Sequence, residues 1–368
     1  MKLKVLKYTG IVFASILALF VAYIAYIQFF TPKYKIVRIK KEGLGNQLFQ
    51  YALAYALKQE GKQEVVFDMF DYKRSRKEDR PWVRFFADDY NFSFPILQER
   101  ENPLAWAIRM FILSKQRSEK GKSETEFYQY KNDVVDVSGN VVYRGFRQNA
   151  LYFDKYRDGV IKMFKDVKGG LDEKNLEVIK QMQSHKNSVV INVRLGDFLS
   201  KAHRGAFYLC KPEYYNEAMK QFNNLPDVHF FVFSDDIETA KKLLKFTKPH
   251  TFVDVNPLSQ AQLNLVLSAS AKHNIVSNST FAFWAAYMNE NKDKIIIAPK
   301  YWFYEEEGKY YIETNNLFPK DFNIIYLDNV NGVASGNKAD INKEYTNDAK
   351  SDGKSESKSK SRDVVVSN

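Results

Sequence analysis

At 368 residues the chain is long enough for about two domains, each with its own core, and its 29 Phe and 23 Tyr mean that core material is not limiting. The single cysteine, Cys210, excludes an internal disulfide and argues against a disulfide-stapled extracellular module. The net charge of +11 does not mark a nucleic-acid partner: Lys2, Lys4, Lys7, Lys33, Lys35, Arg38, Lys40 and Lys41 precede the first acid, Glu42, and leave about +3 for the rest of the chain.

Residues 1–8 form a short basic N-terminus. Thr9 to Phe30, "TGIVFASILALFVAYIAYIQFF", then carries no charge and matches the roughly 20 residues that cross a bilayer core as a helix. A cleaved signal peptide has a shorter apolar run and a small-residue cleavage site. The aromatics gather at the far end, as at a membrane interface. A single signal anchor over 9–30, held in a lipid bilayer, is the expectation. Its flanking charges balance and leave the orientation open.

Downstream, "YKIVRIK" reads as a strand and "NQLFQYALAYALKQEGK" as a helix ended by Gly61. Between them lies "KEGLGNQ". Gly43 and Gly45 allow positive φ and close approach to a bound group, and Asn46 is placed to cap the helix. A plain strand-to-helix turn explains the same residues. "EVVFDMF" is a second strand, and Asp71 to Phe85 a basic loop on the solvated face. "VVYRGFRQNALYFDKYRDGVIKMF" is strand, turn and helix. From Ser188 an α/β alternation follows. "SVVINVRLGDFL" is a buried strand, "KPEYYNEAMKQFN" a helix with Pro212 in its first turn, and "HFFVFSDD" and "IETAKKLLKF" another strand and helix. "KHNIVSNSTFAFWAAYMNEN" and "KIIIAPK" complete the series. Such alternation predicts a parallel, Rossmann-like sheet with ligands beyond the carboxyl ends of its strands. The Lys/Ser-rich segment 332–368 reads as a disordered tail.

Three strand-end turns hold the candidate chemistry. In "NVRLGDF", Arg194 offers a fork suited to a diphosphate and Asp197 a carboxylate able to act as a base; the alternative is an Arg–Asp pair bracing the turn. In "FSDD", Asp235 and Asp236 are placed to bind ribose hydroxyls or to cap the next helix. In "SNSTF", Asn278, Ser279 and Thr280 present hydroxyls and N–H groups at a helix N-terminus, either as an anion site or as a simple cap. The five histidines are scattered, so no metal site is expected. "GLGNQ" fails the dinucleotide glycine pattern and no phosphate-loop motif is present.

Six stretches, "EGLGNQLFQYALAYAL", "VYRGFRQNALYF", "NVRLGDF", "FYLCKPEYYNEAM", "FFVFSDDIE" and "KHNIVSNSTFAFWAAYMN" with the following "IIIAPKYWF", occur in this order between Lys35 and Asp328. Together they resemble the α-1,2-fucosyltransferases of glycosyltransferase family 11. The resemblance implies a GT-B-like α/β fold. Residues 31–165 would form an N-terminal Rossmann-like domain with the glycine loop and acceptor side, facing a C-terminal GDP-fucose-binding domain at 166–331 across a cleft. It implies inverting, metal-independent, cofactor-free transfer from GDP-fucose to a galactose-terminated glycan. Gly43, Gly45, Asn46 and Gln47 then fall on the donor-facing loop, and Arg194 matches the first arginine of the family's H-x-R-R-G-D motif. Asp235 falls where the nucleoside is held, and Asn278, Ser279, Thr280 and Phe281 where the phosphates sit.

The chain departs from that pattern at Asn192, where the family has His, and at Leu195, where it has a second Arg; Phe283 replaces a commoner Trp. The loss at Leu195 is expected to weaken the positive field near the donor. A changed acceptor or linkage, or an inactive glycan- or nucleotide-binding relative, is the alternative. The lone cysteine and short stem favour a bacterial inner-membrane protein over a type II Golgi protein.

Overall fold

The computed structural model describes residues 2–75, 83–117, 130, 139–196, 210–302 and 317–327. Asp197 and the 332–368 tail lie outside them. The chain opens with α1 (Lys2–Phe29), whose stretch Tyr8–Phe29 is long and apolar enough to cross a membrane and is buried hardly anywhere. Then come β1 (Tyr34–Arg38), α2 (Leu44–Gln59), β2 (Glu64–Asp68) and the short helices α3 (Phe70–Arg74) and α4 (Leu97–Arg100). α5 (Pro103–Arg117) and β3 (Val141–Tyr143) complete a three-stranded parallel sheet in the order β2-β1-β3. The start of the basic stretch after Asp68, expected to be loop, is the helical turn α3.

α6 (Arg157–Lys165) and α7 (Glu173–Ser184) lead into the second sheet. Its elements are β4 (Asn187–Val193), α8 (Pro212–Lys220), β5 (Val228–Ser234), α9 (Ile237–Leu243), β6 (His250–Phe252), α10 (Ala261–Ser268), β7 (His273–Ile275), α11 (Thr280–Tyr287), β8 (Ile296–Pro299) and β9 (Ile324–Leu327). All seven residues of β4 are buried, as a β-branched run at the centre of a parallel sheet requires. The six strands are all parallel, in the order β6-β5-β4-β7-β8-β9. The chain walks outward from β4 to β6, returns beside β4 as β7, and walks out the other way. That reversal opens a crevice at the carboxyl ends of β4 and β7, where open α/β sheets bind ligands.

Among the described residues the largest buried cluster runs through both halves. Val37, Phe49, Tyr51 and Phe153 of the first half share it with Trp284, Tyr287 and Ile296 of the second. The Phe49 ring lies 4.8 Å from both Phe283 and Trp284, and Phe153 stacks on Trp284 at 5.2 Å. The physical reason is that α2 and α11 are both rich in aromatics and bury them against each other.

Candidate active site

The two halves come into close contact at Gly45. A Cβ built there would lie 2.5 Å from Thr280 Oγ1 and 2.6 Å from the Phe281 nitrogen, so only glycine fits. The Trp284 indole N–H donates to the Gly45 carbonyl at 2.9 Å. The glycine is therefore required by close approach to α11. Positive φ, expected for Gly43 and Gly45, is not used: Gly43 is extended (φ −64°, ψ 161°), and Gly45 is inside α2 and not among the positive-φ glycines.

Gly43 is the N-cap of α2 and Ser279 that of α11, and neither helix has a side-chain cap bond. Asn46, expected as the cap, lies within the first turn; its Oδ1 accepts from Gln148 Nε2 at 2.9 Å. Two helix N-termini without side-chain caps thus meet at one point. Each carries about half a positive charge and outward N–H groups, a combination suited to an anion.

The Gln47 side chain, expected on the donor-facing loop, is hydrogen-bonded within the protein. It is fully buried; its amide donates to the Glu42 and Arg84 carbonyls at 2.6 Å each, and its Oε1 accepts from the Phe86 N–H and the Tyr51 hydroxyl. One helical turn later, Gln50 donates to the Arg38 and Gly145 carbonyls. These two amides hold the surrounding loops against α2.

At the end of β4, register decides who meets whom. β4 and β5 pair Val193 with Ser234, so the next residues, Arg194 and Asp235, leave the sheet side by side. Arg194 Nη1 lies 2.9 Å from Asp235 Oδ2, and the Leu195 N–H donates to Asp235 Oδ1 at 2.8 Å. Gly196 closes over the carboxylate: a Cβ there would lie 2.5 Å from Asp235 Oδ2. Asp235, expected to hold the nucleoside, has one carboxylate oxygen on the Arg194 guanidinium and the other on the Leu195 N–H, and the Arg194 side chain is 28% exposed. Asp236 is the N-cap of α9, accepting from the Thr239 N–H at 3.0 Å.

Asn278 is buried beyond β7; its amide donates to the Trp302 carbonyl at 3.4 Å and its Oδ1 accepts from Cys210 Sγ at 3.6 Å. Burial pushes the Cys210 thiol up to about 12, so it is no nucleophile at neutral pH. Ser279, Thr280 and Phe281 are partly exposed at the head of α11. Ser277 Oγ and Asn192 Nδ2, both buried near the β4–β7 crevice, have no hydrogen-bond partner.

The expected arginine position, Leu195, is 1% exposed and packs in one cluster with Val193, Tyr214 and Tyr215. Its side chain is therefore part of the core.

Sequence reasoning did not single out Arg147 and Gln148. Arg147 is buried with φ 52°, a left-handed backbone costing a non-glycine residue about 1–3 kcal/mol and concentrated at functional sites. Gln148 joins it to Asn46 and keeps its own Oε1 without a partner. In the sequence both lie in "VYRGFRQNALYF", a stretch read as strand, turn and helix, with no role given to either residue. A cavity of about 380 Å³ lies beside the glycine loop, lined by Lys40, Lys41, Glu42, Phe70, Asp71 and Arg74. Among the described residues no cluster of three or more His, Cys, Asp or Glu is placed to hold a metal ion.

Known proteins are similar to this chain. An Escherichia coli α-1,2-colitosyltransferase is 30% identical over 281 residues, spanning 72% of this chain and 91% of that one. The Escherichia coli O-antigen biosynthesis glycosyltransferase WbnK is 25% identical over 286 residues, 71% and 92% of the two chains. Among solved structures, the fucosyltransferase NodZ from Bradyrhizobium aligns with a TM-score of 0.42 at 16% identity, covering 69% of this chain and 92% of its own. The family model for glycosyl transferase family 11 matches residues 34–318. With most of its length inside that match, the chain belongs to glycosyltransferase family 11 and is a fucosyltransferase-like glycosyltransferase.

Proposed function

We propose that the protein transfers L-fucose from GDP-fucose to the 2-hydroxyl of a terminal β-galactoside, with inversion, in a GT-B-like cleft between the 31–165 and 166–331 halves. The observation that carries this is the meeting of the uncapped α2 and α11 N-termini at Gly45 and Thr280, with an arginine held by Asp235 at the end of β4, the strand beside β7. As the acceptor hydroxyl bonds to the sugar's anomeric carbon, the bond from that carbon to the diphosphate breaks and negative charge grows on departing GDP. Arg194 and the first-turn N–H groups of α11 are suited to meet that charge. Asp197 remains the candidate to take the hydroxyl proton. The 380 Å³ cavity beside the glycine loop is on the acceptor side in this reading.

Anchorage by α1 belongs to the same proposal. Ile27 near its end is 3% exposed and packs with Ala105 and Ile108, so a cleaved signal would strip two core residues of their cover. The bacterial inner membrane is the favoured compartment.

A second reading is favoured by the 30% identical colitosyltransferase. Colitose is fucose without its 3-hydroxyl. A site that hydrogen-bonds that hydroxyl rejects the analogue lacking it by about 10⁴-fold or more, whereas an apolar pocket discriminates by only about 10²-fold. The full chain in detergent, given GDP-fucose or GDP-colitose with lactose in EDTA, separates the readings. An α-1,2-fucosylated product with matched GDP release, abolished by Arg194→Ala, is expected. Faster turnover of GDP-colitose replaces the donor assignment. GDP binding without transfer to any galactoside points to an inactive relative.

A further inference from the structure

The Pro103–Leu113 stretch of α5 is apolar on every side. Met110 and Leu113 pack under the N-terminal sheet with Tyr34, Ile36 and Val66, while Ala105 and Ile108 pack on Ile27 of α1, flanked by Tyr23, Ile24 and Ile112. A third stripe is left at i, i+3, i+7: Leu104 and Phe111 are 52% and 64% exposed, with exposed Ala107 between them. A helix that is hydrophobic all round normally has no face left in water. Between Pro103 and Leu113 the one charge is Arg109, and it is turned inward. Its guanidinium binds Glu101, Thr31 Oγ1 at 2.8 Å and both the Pro32 carbonyl and Asn140 Oδ1 at 3.0 Å. That cluster ties α5 to the four residues between α1 and β1.

We infer that α5 is an interfacial membrane helix: its Leu104–Ala107–Phe111 stripe enters the bilayer that α1 spans and seats the N-terminal sheet directly on the lipid surface. This rests on the proposed anchoring by α1. The occupant follows from continuity, because the stripe adjoins the end of α1, itself exposed along most of its length. Depth agrees as well. Tyr23, Ile24 and Ile27 lie two to six residues before Phe29, so α5 meets α1 roughly 3–9 Å inside its exit point at 1.5 Å per residue. Interfacial helices bury their apolar faces about 5–10 Å deep. With β1 starting at Tyr34 and Arg109 holding Thr31 and Pro32, no flexible stem separates membrane and fold.

The test uses the full chain in phosphatidylcholine–phosphatidylglycerol nanodiscs, with or without doxyl-labelled lipid. An environment-sensitive fluorophore is placed in turn on Leu104→Cys, Ala107→Cys and Phe111→Cys; native Cys210 is buried and stays unlabelled. Leu17→Cys in α1 and Leu176→Cys on α7, both exposed, serve as the membrane and water references. Quenching at 104, 107 and 111 comparable to that at 17, with none at 176, is expected. Quenching at 17 alone overturns the α5 proposal and leaves the anchor standing. No quenching at 17 means that the anchor reading fails and takes the proposal with it. A dilution-sensitive blue shift at 104 and 111 without quenching shows a second copy covering the stripe, which also overturns it.

Discussion

Gly45 and Thr280 touch so closely that a single methyl group at Gly45 would lie 2.5 Å from the threonine oxygen and 2.6 Å from backbone atoms of α11. One partner is backbone, so a smaller residue at 280 does not relieve the clash. Gly45→Ala should force the two helices apart, lowering unfolding free energy by about 1–3 kcal/mol, the usual cost of overpacking. Transfer activity should fall further than stability explains, since the shift separates the two N-termini. Urea denaturation alongside initial rates on one preparation checks this. Unchanged rates in a destabilised protein would confine Gly45 to packing.

Asp235 contacts Arg194, and a substitution distinguishes that contact from the expected nucleoside-binding role. Asp235→Asn keeps an oxygen for the Leu195 N–H but removes the charge facing the guanidinium. A charge-assisted bond contributes about 1.5–3 kcal/mol, so kcat/KM for the nucleotide sugar should drop about 10- to 100-fold. The diagnostic is the inhibitor. GDP should weaken as a competitor while guanosine is unaffected; equal weakening of both would mean that Asp235 contacts the nucleoside.

The sheet-forming half was legible because its strands are buried runs such as Val189 to Val193, separated by helices with ordinary boundaries such as Pro212. The roles at the site were less so, because partners there are remote in sequence. The Arg194–Asp235 pair depends on β4 and β5 being neighbours in register, and the saturation of Gln47 depends on a loop 37 residues away at Arg84. α5 was hard to place because Pro103–Leu113 is apolar all round, and two of its faces pack on different elements. Local pattern reports whether a residue is buried and does not report against what.

Leu195 illustrates the point. A family comparison suggests restoring arginine there, yet the side chain sits in the core with Tyr214 and Tyr215. Leu195→Arg places a guanidinium among apolar side chains and should destabilise by about 3 kcal/mol or more, as unpaired buried charges do. Leu195→Met, of similar volume, should cost less than about 1.5 kcal/mol. Denaturation midpoints of the two variants test this. A stable arginine variant with faster turnover would show that position 195 reaches the donor.

His273 sets a pH limit on the same sheet. It is 2% exposed at the start of β7; its Nδ1 accepts from the Ile295 N–H at 3.0 Å and its Nε2 faces Asn187 Oδ1 at 3.2 Å. Burial, helped by the neighbouring Lys272 ammonium, pushes its pKa from 6.5 down to about 4. Because the folded value is depressed, the unfolded chain takes up the proton first. Stability is therefore complete above pH 6.5 and lost as pH falls from there to about 4. The loss should amount to about 2–3 kcal/mol at 1.36 kcal/mol per pH unit. His273→Gln cannot titrate, so its deficit relative to the native protein should shrink by that amount between pH 7 and pH 4. Urea midpoints of both proteins in one detergent, with unchanged slopes, measure it. A deficit constant across the range would mean that His273 keeps its ordinary pKa in the fold.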